Sequence, residues 1–474
     1  MLIDGVFLGG PCDSSVPKNV VRNPWNARVI GAAAEGGLEH VHAAIASSRA
    51  ALPGWASLPM RARCAILAEV AKRIRDQRQE LAELLVQEIS KPITLALAEV
   101  DRTAITFQLS SELAEEASGI DISQDPRAAA FDVYVQRFPI GVVTAFSPYN
   151  WPYNLAAHKI GPALAAGCAV ILKGSPLASL ATAKLVRLIQ SCGLPAGVLN
   201  SVQCDHSAAQ ALAVHAGVDA LSFTGSPKVG WHLKSLLPVK PVTLELGGNA
   251  FAIVTASADL EQAARFLAFS AFAYAGQICI SLQHVLVEEA VYPAFLEAFL
   301  KAAEAISAAD PSEPATICSC LIHEEAAQKV QAMVESSGGK VLLGGAAEGN
   351  RYPPTVVEIS DFREAQAAGV SLCAEEAFGP VVTVSSVASL ATAAELVNAS
   401  KYGIHASLMT QSEADIESAY RMLNVSGLVV NDGPTVRFDA MPYGGQKESG
   451  FGREGVKLAY DFYSVPRVLV RRKD

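Results

Sequence analysis

Hydrophobic residues recur every three or four positions from about residue 38 to residue 118, and charged residues separate them. This spacing predicts amphipathic helices. The pattern changes at "AFDVYVQRFPIGVVTAFS", where polar and apolar residues alternate before a β-branched apolar run. Such a stretch is typical of strands. We therefore expect a helical segment near the start of the chain, followed by strands.

Further along, short apolar stretches alternate with helical patterns. "GCAVILKGS" and "DALSFTGS" are predicted strands, and each precedes a predicted helix, "LASLATAKLVRLIQSCG" and "PKVGWHLKSLL". "VTLELGGNAFAIV" indicates strand, turn and strand. The second half repeats the theme in "HVLVEEAVYPAFLEAFLKAAEAI", "AFGPVVTVSSVASLATAAELVNAS" and the buried strand "SGLVVND". This alternation predicts parallel sheets with helices on both faces. Because 474 residues exceed what one core organises, we expect two α/β domains.

Composition narrows the class of protein. The chain is 51% hydrophobic and 18% charged, with a net charge of -10, which favours a globular protein over a nucleic-acid or membrane partner. The longest apolar stretch is too short to span a bilayer, and the start lacks the basic region of a signal peptide. Nine cysteines show no zinc-like spacing, so we expect no metal site and a cytoplasmic location.

Residues suited to chemistry stand where the predicted strands end. Asn150 follows "GVVTAFSPY", Lys173 follows "AVIL", Ser226 follows "ALSFTG", and Glu245 follows "VTL". In parallel sheets ligands bind at these strand ends, and free amides at a helix start can hold a pyrophosphate. Taken singly, each residue has a structural explanation, such as a helix cap or a surface ion pair.

Cys279 lies in the apolar stretch "AYAGQICISL". A lone free cysteine in such a setting is typical of a protein core. A thiol, a carboxylate, an amide donor and a phosphate-type turn together are, however, the parts of a covalent acyl-enzyme mechanism. We therefore interpret Cys279 as a nucleophile.

Seven stretches of the sequence match the motifs of one known enzyme family. They are, in order, "FSPYNWPYNLAAHKIGPALAAG", "VILKGSP", "LSFTGSPKVG", "LELGGN", "GQICIS", "EEAFGPV" and "PYGGQKESGFGREG". Along nearly its whole length the chain resembles the aldehyde dehydrogenase superfamily, in particular lactaldehyde and non-phosphorylating glyceraldehyde-3-phosphate dehydrogenase-like members. The resemblance implies an NAD(P)-dependent enzyme that oxidises a small-molecule aldehyde to a carboxylic acid.

The implied fold is α/β, with a Rossmann-like cofactor-binding domain, a second α/β catalytic domain and a small β oligomerisation arm. We expect the NAD(P)-binding domain over 1–123 and 140–246 and the catalytic domain over 247–446. The arm and C-terminal strand would be 124–139 and 447–474. The tail "YSVPRVLVRRKD" is either a frayed terminus or an edge strand that pairs with another subunit. The resemblance implies a homodimer or homotetramer.

The resemblance also implies residue roles. Cys279 matches the nucleophile, Glu245 the general base, Asn150 the oxyanion donor together with the Cys279 N–H, and Lys159 a supporting lysine. The implied cofactor-binding residues are Phe146, Ser147, Pro148, Tyr149, Lys173, Ser175, Pro176, Gly225, Ser226, Leu246, Gly247, Glu376 and Phe378. The implied substrate-binding residues are Arg102, Asn154, His158, Arg437 and Tyr443.

Two departures from the family pattern bear on cofactor and substrate. Pro176 stands where many NAD-preferring relatives have an acidic residue that would repel a 2'-phosphate, so the cofactor is NAD or NADP. Arg102, Arg437 and His158 suit an aldehyde that carries a phosphate, sulfonate or carboxylate. Alternatively, both arginines form structural ion pairs and His158 is a core residue. Ile278 replaces an arginine found in some relatives, which leaves a small polar hydroxyaldehyde as the competing substrate.

Three other functions remain open from sequence. The same thiol and carboxylate would suit a thiol esterase. Transfer of the acyl group to coenzyme A would give an acylating aldehyde dehydrogenase, although Glu245 favours hydrolysis. The third alternative is a non-catalytic binding protein that keeps the fold.

Overall fold

The computed structural model describes residues 1–8, 18–116 and 125–473. The strands are β1 Leu2–Ile3, β2 Val6–Phe7, β3 Lys18–Arg22, β4 Val29–Ala34, β5 Phe131–Pro139, β6 Val142–Phe146, β7 Ala169–Lys173, β8 Leu199–Ser201, β9 Ala220–Thr224, β10 Val242–Glu245, β11 Ala250–Val254, β12 Leu282–Glu288, β13 Lys340–Leu343, β14 Thr355–Glu358, β15 Val381–Val387, β16 Tyr402–Gly403, β17 His405–Met409, β18 Gly427–Val430, β19 Gln446–Lys447, β20 Gly450–Phe451 and β21 Ser464–Arg472. The helices are α1 Leu38–Ser57, α2 Met60–Asp76, α3 Arg78–Ile89, α4 Ile93–Glu116, α5 Pro152–Ala166, α6 Ser179–Ser191, α7 His206–Val214, α8 Pro227–Ser235, α9 Leu260–Phe272, α10 Tyr292–Glu304, α11 Glu324–Glu335, α12 Phe362–Ala367, α13 Ser371–Ala374, α14 Leu390–Ala399, α15 Glu413–Met422 and α16 Val456–Tyr463.

Two sheets organise the chain. The first has the order β2-β1-β8-β7-β6-β9-β10-β20. Its parallel strands are the five central ones, β8, β7, β6, β9 and β10. The second has the order β13-β14-β15-β12-β11-β17-β18 and is parallel except at β13. Helices cover both sheets, so the predicted α/β fold is confirmed. The strand "SGLVVND" forms the edge of the second sheet and is half-buried, not buried as expected.

A separate two-stranded sheet forms the arm. β5 and β21 pair antiparallel along their whole length, from Phe131 opposite Arg472 to Pro139 opposite Ser464. The C-terminal tail is therefore an ordered strand that pairs within its own chain, and it is not frayed. Tyr134, Val468 and Leu469 on this sheet are exposed apolar residues.

The boundary predicted for the C-terminal part of the arm differs from the structure. β20 pairs antiparallel with β10 in the first sheet, and α16 packs on α5. Residues 450–463 therefore pack with the first sheet, through β20 and through the buried face of α16 at Val456, Ala459 and Tyr463. β19, just before them, pairs instead with β16. Of the described C-terminal residues, only β21 joins β5 in the arm.

The chain crosses between the two sheets next to the candidate site. β10 ends at Glu245, and β11 of the second sheet begins only five residues later, at Ala250. The carboxyl ends of parallel strands collect polar residues, since helix N-termini and loops meet there. Within the described residues, no helix is long and apolar enough to cross a membrane.

Candidate active site

A sharp turn carries the chain from α9 to Cys279. Tyr274, Ala275 and Gly276 have φ values of 53°, 52° and 68°, so three consecutive residues are left-handed. This conformation costs non-glycine residues about 1–2 kcal/mol each. A Cβ on Gly276 would lie 2.1 Å from the Gly379 carbonyl oxygen, so only glycine fits the third position. The turn is thus held in a strained shape by the packing around it, and it leaves Cys279 half-buried.

The thiol of Cys279 lies against a tyrosine. Its Sγ is 3.0 Å from the Tyr443 hydroxyl oxygen. Burial raises the pKa of Cys279 to about 11, while the hydrogen bond with Tyr443 and the charge of Arg437 act in the opposite direction. Tyr443 and Arg437 therefore stabilise the ionised form of Cys279 against the effect of burial.

Asn150 is tied to the same turn. Its Nδ2 donates to the Gln277 carbonyl oxygen at 2.8 Å, and the Asn150 carbonyl accepts from Lys91 Nζ at 2.7 Å. Since an amide nitrogen has two hydrogens, one remains for a further acceptor next to Cys279. The amide is buried, so its position is well defined.

Glu245 is the last residue of β10 and is buried. Neither carboxylate oxygen accepts a hydrogen bond from any residue that the structure describes. Burial, followed by the charge of Glu454, raises its pKa well above the ordinary value, and Lys159 acts against this shift. A Cβ on Gly444 would lie 2.9 Å from Oε1, so this glycine leaves room for the carboxylate. An unpartnered carboxyl group with a raised pKa suits a general base.

Lys159 forms a buried ion pair that the sequence did not reveal. Its Nζ lies 2.5 Å from Glu454 Oε1 and 3.0 Å from Ser222 Oγ. Burial raises the pKa of Glu454, but the charges of Lys159 and His158 outweigh it, and the net pKa is lowered. Glu454 stands in the matched stretch "GFGREG", yet nothing local distinguished it from a surface charge.

Three of the five predicted substrate residues converge on one carboxylate, Asp439. Arg102 donates to it from Nε at 3.1 Å and from Nη2 at 2.8 Å, His158 Nε2 lies at 2.9 Å, and Asn154 Nδ2 at 3.2 Å. Burial raises the pKa of Asp439, but the hydrogen bonds from His158 and Arg102 hold it well below its usual range. Asp439 was missed from sequence because its partners are far away along the chain.

Arg437 differs from Arg102. Its side chain is 6% exposed, and its Cζ lies 3.6 Å from the centroid of the Tyr443 ring. Its Nη2 is 3.9 Å from Glu454 Oε2, which is too far for a hydrogen bond. Nε and Nη2 have no hydrogen-bond partner within the described chain. Buried N–H groups are nearly always paired, so these two are suited to an incoming acceptor.

The predicted cofactor residues line the strand ends of the first sheet. Phe146 ends β6 and Lys173 ends β7, while Ser226 precedes the first residue of α8 without capping it. Burial lowers the pKa of Lys173. Free amides at this helix start favour a negative group such as a pyrophosphate. Ser175, Pro176, Gly225 and Leu246 lie on the same strand-end loops, as do Ser147, Pro148 and Tyr149.

The second domain contributes the other two predicted cofactor residues, Glu376 and Phe378. Glu376 Oε1 accepts from the Gly248 N–H at 2.9 Å, and burial raises the pKa of Glu376 to about 7. A Cβ on Gly247 would lie 2.5 Å from Glu376 Oε2. The rings of Phe378 and Tyr149 meet edge-on at 6.3 Å. The glycines, the uncapped helix start and the aromatic contact fit a dinucleotide with a planar ring.

Comparisons with known proteins agree with this geometry. The sequence profile of the "Aldehyde dehydrogenase family" matches residues 13–469. A 3-sulfolactaldehyde dehydrogenase from Priestia aryabhattai is 33% identical over 98% of this chain and 97% of its own. The crystal structure of aldehyde dehydrogenase 21 from Physcomitrella patens, in complex with the reaction product succinate, has a TM-score of 0.93 at 33% identity and covers 98% of each chain. Glyceraldehyde-3-phosphate dehydrogenase GapN from Methanocaldococcus jannaschii, complexed with NADP, has a TM-score of 0.91 at 33% identity, over 96% of this chain and 100% of its own.

The two-sheet fold, shared over nearly the whole chain with these dehydrogenases, places the protein among the oxidoreductases of the dehydrogenase class. The chain belongs to the aldehyde dehydrogenase family, whose members use NAD or NADP.

Proposed function

We propose that this enzyme oxidises a small anionic aldehyde to the corresponding carboxylic acid with NAD(P)+, through a thioester on Cys279. The thiolate of Cys279 forms a bond to the aldehyde carbon, and the carbonyl electron pair moves onto oxygen. The free Nδ2 hydrogen of Asn150 and the Cys279 backbone N–H stabilise that oxyanion. Loss of one such donor typically costs about 2.7–4 kcal/mol of transition-state stabilisation.

The cofactor would lie between the strand ends of the first sheet and Glu376. When bound, NAD(P)+ supplies the acceptor for the hydride. Ser226 and the α8 amides would hold the pyrophosphate, Lys173 the adenosine ribose, and Glu376 with Phe378 the nicotinamide ribose and ring. Pro176 is exposed and adds no negative charge near that ribose, which is compatible with either cofactor.

Glu245 completes the reaction. Its carboxylate takes a proton from water, and the resulting hydroxide attacks the thioester, which releases the acid and frees the Cys279 thiolate. The buried Lys159–Glu454 pair acts on Glu245 in two directions, since the charge of Glu454 raises the pKa of this carboxyl group and the charge of Lys159 lowers it. This arrangement supports hydrolysis over transfer to coenzyme A.

The proposal of an anionic substrate rests on the guanidinium of Arg437, which lacks hydrogen-bond acceptors. Its Nε and Nη2 are buried without an acceptor in the described residues, and its ring contact, Tyr443, touches the nucleophile. A substrate phosphate, sulfonate or carboxylate would satisfy them with charge-assisted hydrogen bonds. Arg102 is already neutralised by Asp439, so Arg437 is the arginine with free hydrogen-bond donors.

Relatives support this class of substrate. Those named above act on sulfolactaldehyde or glyceraldehyde-3-phosphate, or give succinate, and an aspartate-semialdehyde dehydrogenase from Pseudomonas canavaninivorans is 34% identical. All of these compounds carry an acidic group. Lactaldehyde dehydrogenases are also among the relatives, so a neutral hydroxyaldehyde is the competing substrate.

A matched aldehyde pair tests the proposal. A carboxylate-bearing aldehyde and its neutral amide are supplied with NAD and with NADP, and reduced cofactor is followed by its absorbance. We expect a higher kcat/KM for the anion, and Arg437→Ala should remove this preference while the exposed Arg61→Ala leaves it intact. An equal rise of KM for both aldehydes in Arg437→Ala would refute the charge argument, and no reduced cofactor from any aldehyde would refute the redox reaction.

The domain assignment follows from the same reasoning. The NAD(P)-binding domain comprises the first sheet with its helices, together with 450–463, and the catalytic domain comprises 247–446. The exposed apolar residues of β5 and β21 support an arm that pairs two subunits into a dimer or a dimer of dimers.

A further inference from the structure

The hydroxyl of Tyr443 occupies an unusual position for a residue predicted to line the substrate pocket. The side chain is 3% exposed, and its hydroxyl oxygen lies 3.0 Å from Cys279 Sγ. Cys279 is its one hydrogen-bond partner among the described residues. Buried hydroxyls are nearly always hydrogen-bonded, and the partner of this one is the proposed nucleophile. The hydrogen bond therefore bears on whether Cys279 is ionised.

The direction of this hydrogen bond follows from the charges. Burial raises the pKa of Tyr443 well above its ordinary value, so the phenol keeps its proton. A thiolate has no proton to give, and hence the phenol donates whenever Cys279 is ionised. Hydrogen bonds to a charged acceptor are roughly twice as strong as those between neutral groups.

Two neighbours hold the phenol in place. The Arg437 guanidinium covers one part of the ring at 3.6 Å, and the His405 ring meets it edge-on at 5.6 Å. The cation over the ring draws electron density from it, which makes the hydroxyl a better donor. The backbone of Tyr443 is paired with Glu454 in both directions. The donor is therefore preorganised toward Cys279 before any substrate arrives.

We infer that Tyr443 is a catalytic residue whose hydroxyl donates a hydrogen bond to the Cys279 thiolate and so stabilises the thiolate relative to the thiol. No proton is transferred in this role. As the sulfur lone pair forms the bond to the aldehyde carbon, the negative charge moves to the carbonyl oxygen and the hydrogen bond to sulfur weakens. The inference rests on the proposed role of Cys279 as the nucleophile.

The test measures the thiolate without any aldehyde. The ultraviolet absorbance of the Cys279 thiolate is taken as the difference from Cys279→Ser and titrated with pH for the wild type and Tyr443→Phe. We expect the variant to hold about tenfold less thiolate at each pH below the midpoint, an upward shift of about one pH unit. Alkylation by iodoacetamide should slow by only about threefold, since a more basic thiolate is more nucleophilic.

Controls separate this role from a structural one. Tyr460→Phe removes a hydroxyl whose one hydrogen-bond partner among the described residues is Met60 Sδ, and it should leave the titration unchanged. Replacing Tyr443 by a ring-fluorinated tyrosine keeps the shape and strengthens the donor, so the thiolate fraction should rise, whether or not Tyr443→Phe folds. An unchanged thiolate fraction in both Tyr443 variants overturns the inference. If the wild type and Cys279→Ser instead show the same number of reactive thiols, the proposed role of Cys279 as nucleophile is overturned.

Discussion

Arg102 and Asp439 are 337 residues apart in sequence and form a two-point ion pair. His158 and Asn154 bond to the same carboxylate. The pair therefore joins α4 and α5 to the loop that carries Arg437. It also means that the two predicted substrate arginines are not equivalent, because one is neutralised and the other has free donors.

Removal of the Asp439 charge should destabilise the protein. In Asp439→Asn the Arg102 guanidinium loses its counter-ion, and we expect the free energy of unfolding to fall by about 3 kcal/mol. The double variant Arg102→Met with Asp439→Asn should recover much of this loss, because no unpaired charge remains. Denaturant unfolding measures both, with the exposed Asp76→Asn as control. Additive losses in the double variant would mean that the two side chains do not interact.

Glu245→Gln should stop the enzyme after the first half of the reaction. The amide cannot take a proton from water, so the thioester on Cys279 persists and kcat falls by about 10²–10⁴-fold. Rapid mixing should show a burst of one reduced cofactor per active site, followed by little turnover. Glu335→Gln, at an exposed position of α11, serves as the matched control. A variant that turns over steadily without a burst would exclude Glu245 as the base for hydrolysis.

The rate should rise with pH across the neutral range. The pKa of Cys279 is raised to about 11 and that of Glu245 is raised above its ordinary value, both chiefly by burial. Both groups act in their deprotonated forms, and a raised pKa makes those forms scarcer at low pH. We therefore expect kcat/KM and kcat to increase toward alkaline pH until the protein unfolds. Rates that decline above neutrality in folded enzyme would contradict this assignment.

Pro176→Glu should shift the cofactor preference toward NAD. Pro176 is exposed at the start of the short turn Pro176–Ala178, so the new carboxylate has room. It would repel a 2'-phosphate and reduce kcat/KM for NADP by about tenfold, while NAD is little affected. Kinetics with both cofactors measure the ratio, and Pro176→Gln controls for the loss of proline. The same decrease for both cofactors would place the 2'-phosphate elsewhere.

The arm should govern assembly. Val468 and Leu469 are 62% and 63% exposed, which is unusual for adjacent apolar residues unless another chain covers them. Glutamate at both positions should lower the mass measured by light scattering, and the exposed Val239→Glu is the control. A mass that equals that of the wild type would show that the arm is not the interface.

The sequence by itself determined most of the elements, the two α/β domains and the positions of Glu245 and Asn150 after predicted strands, because hydrophobic periodicity and turn residues are local properties. Only the tertiary structure decided which charges are neutralised. The Lys159–Glu454 pair spans 295 residues, and the Arg102–Asp439 pair spans more. Electrostatic energy depends on distance and burial, and neither can be calculated until the separate segments pack together. For the same reason, the free donors of Arg437 and the contact between Tyr443 and Cys279 became apparent only in the folded chain.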